Sequence, residues 1–306
     1  MELQDGRKVS VSAVILAAGS GTRMKNPVPK QFLEILGKPL FLYSLEAFER
    51  DADEIILVTG PDDLPRMKEI LRRYGYPKAK PVLVTEGGRE RSDSSLNGVR
   101  AAKGDIVMIH DAARCCVTEE VIRASLESTL RYGSGVAAVP CKDTIKIVRR
   151  VSDPAGIREL RYPYGADRAE HDKAHRSEPG VRLSPEGRGL TESAPRESGE
   201  GTAEEERAAD EQGKTVTVAE KTPPRADIVS VQTPQSFFRN EILEAYERYL
   251  SDPGRAAVTD DSGVLEKYGK RRAVISEGSY DNIKVTTPSD LMIAEAILKK
   301  RADCRA

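Results

Sequence analysis

The chain has 306 residues, which is enough for one large domain or two small ones. Its net charge of −1 gives no reason to expect a nucleic acid or an anionic membrane as a partner, and no apolar run approaches the roughly 20 residues of a membrane span. The spacing of its four cysteines fits neither a zinc site nor a disulfide framework, and its N-terminal apolar run is too short for a signal peptide, so we expect a cytoplasmic protein.

Short apolar segments alternate with amphipathic ones over the first half of the chain. We predict strands at Val11–Leu16, Glu54–Thr59, Pro81–Val84, Ile106–His110 and Val136–Val139. We predict helices at Pro39–Arg50, Asp62–Tyr74, Ser92–Ala102 and Glu119–Tyr132. This alternation is typical of βαβ units and indicates an α/β fold with a Rossmann-like, mostly parallel sheet and flanking helices. Ligands of such sheets bind outside the carboxyl ends of the strands.

The composition changes after Arg150. From residue 165 to residue 213 the only large apolar residues are Val181, Leu183 and Leu190, and the remainder is rich in Glu, Arg, Ser, Gly, Pro and Ala. Such a segment buries too little apolar surface to offset the entropy of ordering it. We interpret 152–222 as a low-complexity, disordered insertion that splits a single domain into 9–151 and 223–303.

Regular structure is predicted again from about Ile228. This ordered part begins with V-S-V-Q-T-P-Q-S-F-F. The predicted elements after it are a helix that ends at Tyr249, a strand at Ala273–Ser276 and a helix at Pro288–Lys300. Thr287 or Ser289 would cap the last helix. The second part of the chain therefore completes the same α/β domain.

The segment from Leu16 to Phe32 follows the first predicted strand. Gly19 and Gly21 leave backbone N–H groups open to a ligand. Arg23 and Lys30 add two cations beside this bare backbone, which suits the charge of a triphosphate. The segment is therefore a candidate nucleotide site.

Two familiar phosphate-binding patterns do not fit this segment. A P-loop would require Gly-Lys-Ser/Thr after the glycines, which is absent. Met24 stands where the dinucleotide fingerprint has its third glycine, so an NAD-binding oxidoreductase is disfavoured.

The order and spacing of further motifs extend this interpretation. A-A-G-S-G-T-R-M followed by P-K-Q-F resembles the signature loop of sugar-nucleotide and alditol-phosphate nucleotidyltransferases, in its cytidylyltransferase form. The other motifs are E-G-G-R-E-R-S-D-S (86–94), H-D-A-A-R (110–114), V-Q-T-P-Q (231–235) and N-I-K-V-T-T-P-S-D-L (282–291). Together they resemble the 2-C-methyl-D-erythritol 4-phosphate cytidylyltransferase family of the non-mevalonate isoprenoid pathway. The resemblance covers nearly the whole chain except about 152–222.

The resemblance implies a role for each matching residue. The catalytic cations would be Arg23, Lys30 and Lys284. The nucleotide contacts would be Ala17, Ala18, Gly19, Gly21, Gly88, Ser94 and Ala112. The acceptor contacts would be Asp111, Arg114, Thr144, Arg225 and Thr233.

The residues alone leave alternatives open for several of these positions. Asp111 ends a predicted strand, where its carboxylate could meet Mg²⁺, meet a substrate hydroxyl or cap the next helix. Arg114 could clamp a phosphomonoester or be an exposed surface cation. Lys284 could be an outward residue of a strand, and Thr233 a plain strand end before Pro234.

The resemblance also implies a fold and an assembly. The fold would be nucleotide-diphospho-sugar transferase-like, with an extended arm between D-T-I-K and T-P-Q that clasps a second subunit in a homodimer. Thr144 and Arg225 flank that arm, so they would serve the neighbour's site. The insertion would lie in the arm.

We predict that the chain transfers CMP from CTP to 2-C-methyl-D-erythritol 4-phosphate, with Mg²⁺ or another divalent cation. The acceptor's phosphate oxygen would attack the α-phosphorus in line and release pyrophosphate. Ribitol 5-phosphate or another alditol phosphate is an alternative acceptor. An inactive regulatory homologue is a weaker alternative, because Arg23, Lys30, Asp111 and Lys284 are all present.

Overall fold

The computed structural model describes residues 6–19, 24, 28–151, 216–255, 257–269 and 271–304. The chain forms two compact units. One comprises 1–141 and 228–306, and the other comprises 142–227. Gly21, Arg23 and the predicted insertion up to residue 215 lie outside the described residues.

The strands follow the predicted alternation. In chain order they are β1 Val11–Ala17, β2 Glu34–Ile35, β3 Lys38–Pro39, β4 Glu54–Thr59, β5 Val82–Glu86, β6 Ile106–Asp111, β7 Ser134–Pro140, β8 Ile147–Val151, β9 Val216–Lys221, β10 Val229–Phe238 and β11 Ile275–Glu277. The larger unit is built on a seven-stranded sheet in the order β11-β7-β10-β6-β1-β4-β5. β1 pairs in parallel with β4 and β6, and β4 pairs in parallel with β5. Only β10 is antiparallel to its neighbours in this sheet, so the predicted mostly parallel α/β fold is confirmed.

The helices are α1 Leu40–Phe48, α2 Leu64–Arg73, α3 Arg91–Ala101, α4 Glu119–Tyr132, α5 Arg239–Ser251, α6 Asp261–Tyr268 and α7 Pro288–Asp303. Six of them match predicted helices. The sequence analysis predicts no helix over α6, because this helix has only eight residues, with Gly263 inside it, and carries little periodic pattern. Thr287 caps α7 as predicted and forms a capping box with Asp290.

Helices cover both faces of the sheet, so the parallel central strands β1, β4 and β6 are buried and mainly apolar. Ile15 of β1 packs with Phe41 and Phe48 of α1 on one face, whereas Val14 packs with Leu96 of α3 on the other. The close approach of α3 depends on Gly98, because a Cβ atom there would lie 2.3 Å from Cγ1 of Val14. This packing fixes the start of α3 beside the carboxyl ends of β1 and β6.

The smaller unit contains an antiparallel pair of strands. β8 pairs with β9. Since β9 spans Val216–Lys221, it falls inside the predicted insertion 152–222, and this last part of the predicted insertion is ordered. The alternation in Val-Thr-Val-Ala-Glu-Lys (216–221) is typical of a strand, and the change in composition conceals it. Nearby, Arg225 donates from Nη2 to Oγ1 of Thr144 at 3.3 Å. In neither unit is a described helix both long and apolar enough to cross a membrane.

Candidate active site

A cavity of about 330 Å³ opens at the carboxyl ends of β1 and β6, where ligands of parallel sheets bind. Of the predicted site residues, it brings together Ala17, Ala18, Gly19, Lys30, Gly88, Ser94, Asp111, Ala112 and Lys284. Arg114 and Thr233 are not among the residues that line it. Thr144 and Arg225 belong to the smaller unit.

One side of the cavity, which we call the glycine wall, consists of Ala17, Ala18, Gly19, Gly88 and Ser94. Gly88 donates its backbone N–H to Oγ of Ser94 at 3.1 Å, and that hydroxyl donates to the carbonyl of Glu90 at 3.1 Å.

Gly88 of this wall and its neighbour Gly87 have a steric role. A Cβ atom on Gly87 would lie 2.6 Å from Cβ of Ala18, and one on Gly88 would lie 2.2 Å from Cβ of Asp93. Larger residues therefore cannot replace them without moving the chain. A capping box between Glu90 and Asp93 holds the start of α3 in place behind them.

Lys30 reaches the cavity from a short 3₁₀ turn, Lys30–Phe32, which Pro29 precedes. Its Cε atom would lie 3.8 Å from a Cβ atom on Gly19, so its aliphatic stem runs along the glycine wall. Lys30 thus lines the same cavity as Ala17, Ala18 and Gly19 at the end of β1, as the motif predicts.

A second group of side chains, which we call the charged wall, consists of Arg91, Asp111 and Lys284, which line the cavity, and of Asp261, which lies buried behind Arg91. Nζ of Lys284 lies 2.7 Å from Oδ2 of Asp111, and Nε of Arg91 lies 3.4 Å from Oδ1. Burial alone would raise the pKa of Asp111, but the charges of Arg91 and Lys284 outweigh it and hold that pKa well below its usual range. The carboxylate is therefore ionised at neutral pH.

Arg91 and Asp261 are residues that the sequence analysis does not identify. Nη2 of Arg91 lies 2.7 Å from Oδ2 of Asp261, whose side chain is fully buried. Tyr246 of α5 donates its hydroxyl to the same carboxylate. The E-G-G-R-E-R-S-D-S motif contains Arg91, but no local signal points to Asp261, which is 170 residues away.

Thr233 contacts the backbone of Asp111. It lies inside β10, not at a strand end, and its Oγ1 accepts from the backbone N–H of Asp111 at 3.0 Å. The same hydroxyl lies 3.0 Å from Nδ1 of His110. Burial lowers the pKa of His110 to about 3, so the imidazole is neutral. Its Nε2 lies 3.3 Å from the carbonyl of Arg114, which can only accept, so Nε2 carries the proton and Nδ1 accepts from the Thr233 hydroxyl.

Arg114 does not point into the cavity as an exposed cation. It donates from Nη1 to the carbonyl of Asn282 at 2.7 Å, and Nη2 lies 3.5 Å from the carbonyl of Val231. The exposed-cation alternative is therefore wrong, and the proposed clamp stays a prediction.

Lys284 belongs to an irregular segment, not to a strand. The backbone N–H of Val285 donates to the carbonyl of Ala113 at 2.8 Å, which fixes this segment beside Asp111. The alternative that Lys284 belongs to a strand is therefore wrong. The alternating residues Ile-Lys-Val-Thr are too few to form one, because the capping box of α7 follows directly.

Comparison with known proteins assigns a family to this arrangement. The model of the 2-C-methyl-D-erythritol 4-phosphate cytidylyltransferase family matches residues 11–185 and 207–300. Proteins of that name from Clostridium botulinum (strain Okra / Type B1) and Lachnospira eligens are 34% and 33% identical, over 94% of this chain and 97% and 99% of theirs.

Solved structures are similar in fold. The 4-diphosphocytidyl-2C-methyl-D-erythritol synthase of Anaerococcus prevotii superposes with a TM-score of 0.64 at 24% identity, covering 95% of this chain and 98% of the other. The 2-C-methyl-D-erythritol 4-phosphate cytidylyltransferase of Thermus thermophilus gives a TM-score of 0.57 at 24% identity, covering 94% and 98%. On its family match and on its identity with the curated relatives, the chain belongs to the 2-C-methyl-D-erythritol 4-phosphate cytidylyltransferase family.

Proposed function

We propose that the chain transfers CMP from CTP to 2-C-methyl-D-erythritol 4-phosphate, which gives 4-diphosphocytidyl-2-C-methyl-D-erythritol and pyrophosphate. The observation that carries this proposal is the pairing of the glycine wall with the charged wall in one cavity. The bare backbone of the first can approach a nucleotide closely, and the second offers an ionised carboxylate beside a lysine. Family membership supports the same reaction.

Catalysis would rest on positioning and on charge stabilisation. The acceptor's phosphate is already an anion, so its attack on the α-phosphorus needs no strong general base. Lys30 and Lys284 line the cavity from different segments, where their charges would stabilise the additional negative charge of the transition state. We expect Arg23, from the same loop as Lys30, to add a third cation.

Asp111 would bind the acceptor with its carboxylate. Its two oxygens face Arg91 and Lys284, so its orientation is set before a ligand enters. A hydroxyl of the acceptor could donate to this carboxylate, and the acceptor's phosphate could lie near Lys284. Thr233 would act through the backbone of Asp111.

A divalent cation would accompany the nucleotide. Within the described ranges, no group of three or more His, Cys, Asp or Glu side chains could hold a metal ion by itself. Mg²⁺ typically takes one or two carboxylates together with substrate phosphates. Asp111 is the candidate carboxylate for the ion, as the alternative to its role as an acceptor contact. The ion would neutralise charge on the triphosphate.

A homodimer would complete the site. The family resemblance assigns the arm to the region that holds β8 and β9, with Thr144 and Arg225 at its base. The contact between these two side chains supports a common role for them. An arginine contributed by the neighbour would give the doubly charged acceptor phosphate a bidentate partner.

The test is an assay of pyrophosphate release by the purified protein with Mg²⁺ and CTP. We expect turnover with 2-C-methyl-D-erythritol 4-phosphate, and a preference for CTP over ATP, GTP and UTP. Equal turnover with ribitol 5-phosphate would contradict the acceptor assignment. No turnover with any alditol phosphate, although CTP binds by calorimetry, would favour the inactive regulatory homologue.

A further inference from the structure

A chain of charged side chains runs from the cavity into the interior of the larger unit. It leads from Lys284 through Asp111 and Arg91 to Asp261, and it ends at the hydroxyl of Tyr246. Burial opposes the charge of Arg91, but Asp261 and Asp111 outweigh it and hold the pKa of this guanidinium above its usual range. The arginine therefore stays charged between two carboxylates.

The position of Asp261 is fixed by the local structure around the start of α6. Asp260 caps this helix through the backbone N–H of Gly263 at 2.9 Å, and it also accepts from Nε2 of Gln235 at 2.9 Å. Gln235 in turn accepts from the backbone N–H of Ser262 at 2.8 Å. Because Gln235 lies in β10, these bonds attach the start of α6 to the central sheet, and Asp261 is held rigidly behind Arg91.

The glycine wall does not depend on this ion pair. Its loop is held by the bond between Gly88 and Ser94 and by the capping box of α3, all within a few residues. Loss of Asp261 would therefore leave the backbone of the glycine wall in place. Among the residues that line the cavity, the one that Asp261 contacts directly is Arg91.

We propose that Asp261 is a positioning residue for the acceptor: it holds Arg91 in place, and Arg91 thereby fixes the orientation of the Asp111 carboxylate beside Lys284. This inference rests on the proposed function, because it takes Asp111 as an acceptor contact. Without Asp261, the guanidinium fork of Arg91 has only one carboxylate left. It would turn to Asp111 and compete with both Lys284 and the acceptor.

The test measures KM for each substrate separately in three variants. Asp261→Asn keeps the shape of the side chain and an acceptor for Tyr246, and it removes the charge that holds Arg91. Arg91→Lys keeps the positive charge but loses the fork that spans the two carboxylates. The control is Tyr246→Phe, which removes the other bond to Asp261 and leaves its pairing with Arg91 intact.

We expect Asp261→Asn and Arg91→Lys each to raise KM for the acceptor about tenfold or more, since small misplacements of positioning groups have effects up to the order of 10²-fold. KM for CTP should change by less than about twofold, and Tyr246→Phe should move neither constant beyond that range. An equal rise in both KM values, or a similar rise in the control, would overturn the proposal.

A second measurement is independent of activity. The thermal stability of Asp261→Asn, of Asp111→Asn and of the double variant forms a cycle. If Arg91 couples the two carboxylates, the losses of stability will not add, whereas unconnected sites would give additive losses and would overturn the proposal. If the wild-type protein makes no product, the proposed function fails, and this cycle still decides whether Asp261 acts on Asp111.

Discussion

The two walls of the cavity are built in opposite ways. The glycine wall is formed by two short segments, and its bonds join residues at most six positions apart. The charged wall joins residues from four remote segments, with Arg91 and Asp261 170 positions apart. The first wall exposes backbone because its side chains are small or absent. The second holds charged side chains in place by pairing them with each other. Local substitutions should therefore damage the first by steric conflict and the second by freeing a charge.

The largest expected effect concerns Lys30, whose stem runs along the glycine wall. If Lys30 stabilises charge mainly in the transition state, Lys30→Ala should lower kcat by about 10²-fold or more, the scale of one lost electrostatic donor. KM for CTP should change less. Steady-state kinetics with saturating acceptor measures both constants.

Lys80→Ala is the matched control for this variant. Lys80 precedes β5 at the amino end of the strands and lies 3.9 Å from Asp53, away from the cavity. Its kcat should stay within about twofold of wild type, since surface ion pairs contribute little. A near-normal kcat for Lys30→Ala would mean that this lysine has no role in the chemistry.

The second prediction tests whether a third element completes the cavity from another subunit. Arg225→Ala and Lys30→Ala homodimers should each be nearly inactive. Subunit exchange between them should produce heterodimers with one doubly damaged site and one intact site. Because one of its two sites is intact, each heterodimer should recover about half of normal activity. The activity of the mixture is measured after mass spectrometry has shown exchange.

A mixture that stays inactive after proven exchange would place Arg225 in its own subunit's site. Arg225 would then contribute its charge to the cavity of its own chain. Each parent variant, taken alone through the same exchange procedure, gives the baseline activity, because the procedure by itself should not restore activity.

The contrast between the walls also explains what the sequence could predict. β4 and α4 have the predicted bounds, because buried strands and amphipathic helices carry strong patterns. The residues of the glycine wall are predictable because they are neighbours in sequence. Asp261 was not predictable, since the short α6 carries little pattern and its partner Arg91 comes from α3. Thr233 lies inside β10 for a similar reason: pairing with remote strands decides where a strand ends.

The third prediction adds one methyl group to the glycine wall and compares the effect on the two substrates. In Gly88→Ala the new Cβ atom would lie 2.2 Å from Cβ of Asp93, so the loop of the glycine wall must move. We expect KM for CTP to rise by about tenfold, with a smaller change for the acceptor, since displaced positioning groups cost up to about 10²-fold.

Gly254→Ala is the control for this substitution. Gly254 has ordinary backbone geometry, and a Cβ atom there would lie 3.5 Å from its nearest neighbour, Oδ1 of Asp252. Both KM values should be unchanged in that variant. A larger rise for the acceptor than for CTP in Gly88→Ala would reverse our assignment of the two walls.

The smallest effect is expected from the low-complexity segment between β8 and β9. From its composition we propose that the part of the predicted insertion before β9 is disordered and interrupts a single domain. Replacement of Gly165–Gly213 by a short Gly-Ser linker should leave kcat, both KM values and the melting temperature close to wild type, because such segments tolerate change. A matched variant that shuffles the same residues keeps length and composition. Loss of activity in a folded linker variant, with normal activity in the shuffled one, would mean that the length of the segment matters. Loss in both would mean that its sequence binds a partner or closes the site, and the cavity could then not be understood from its two walls alone.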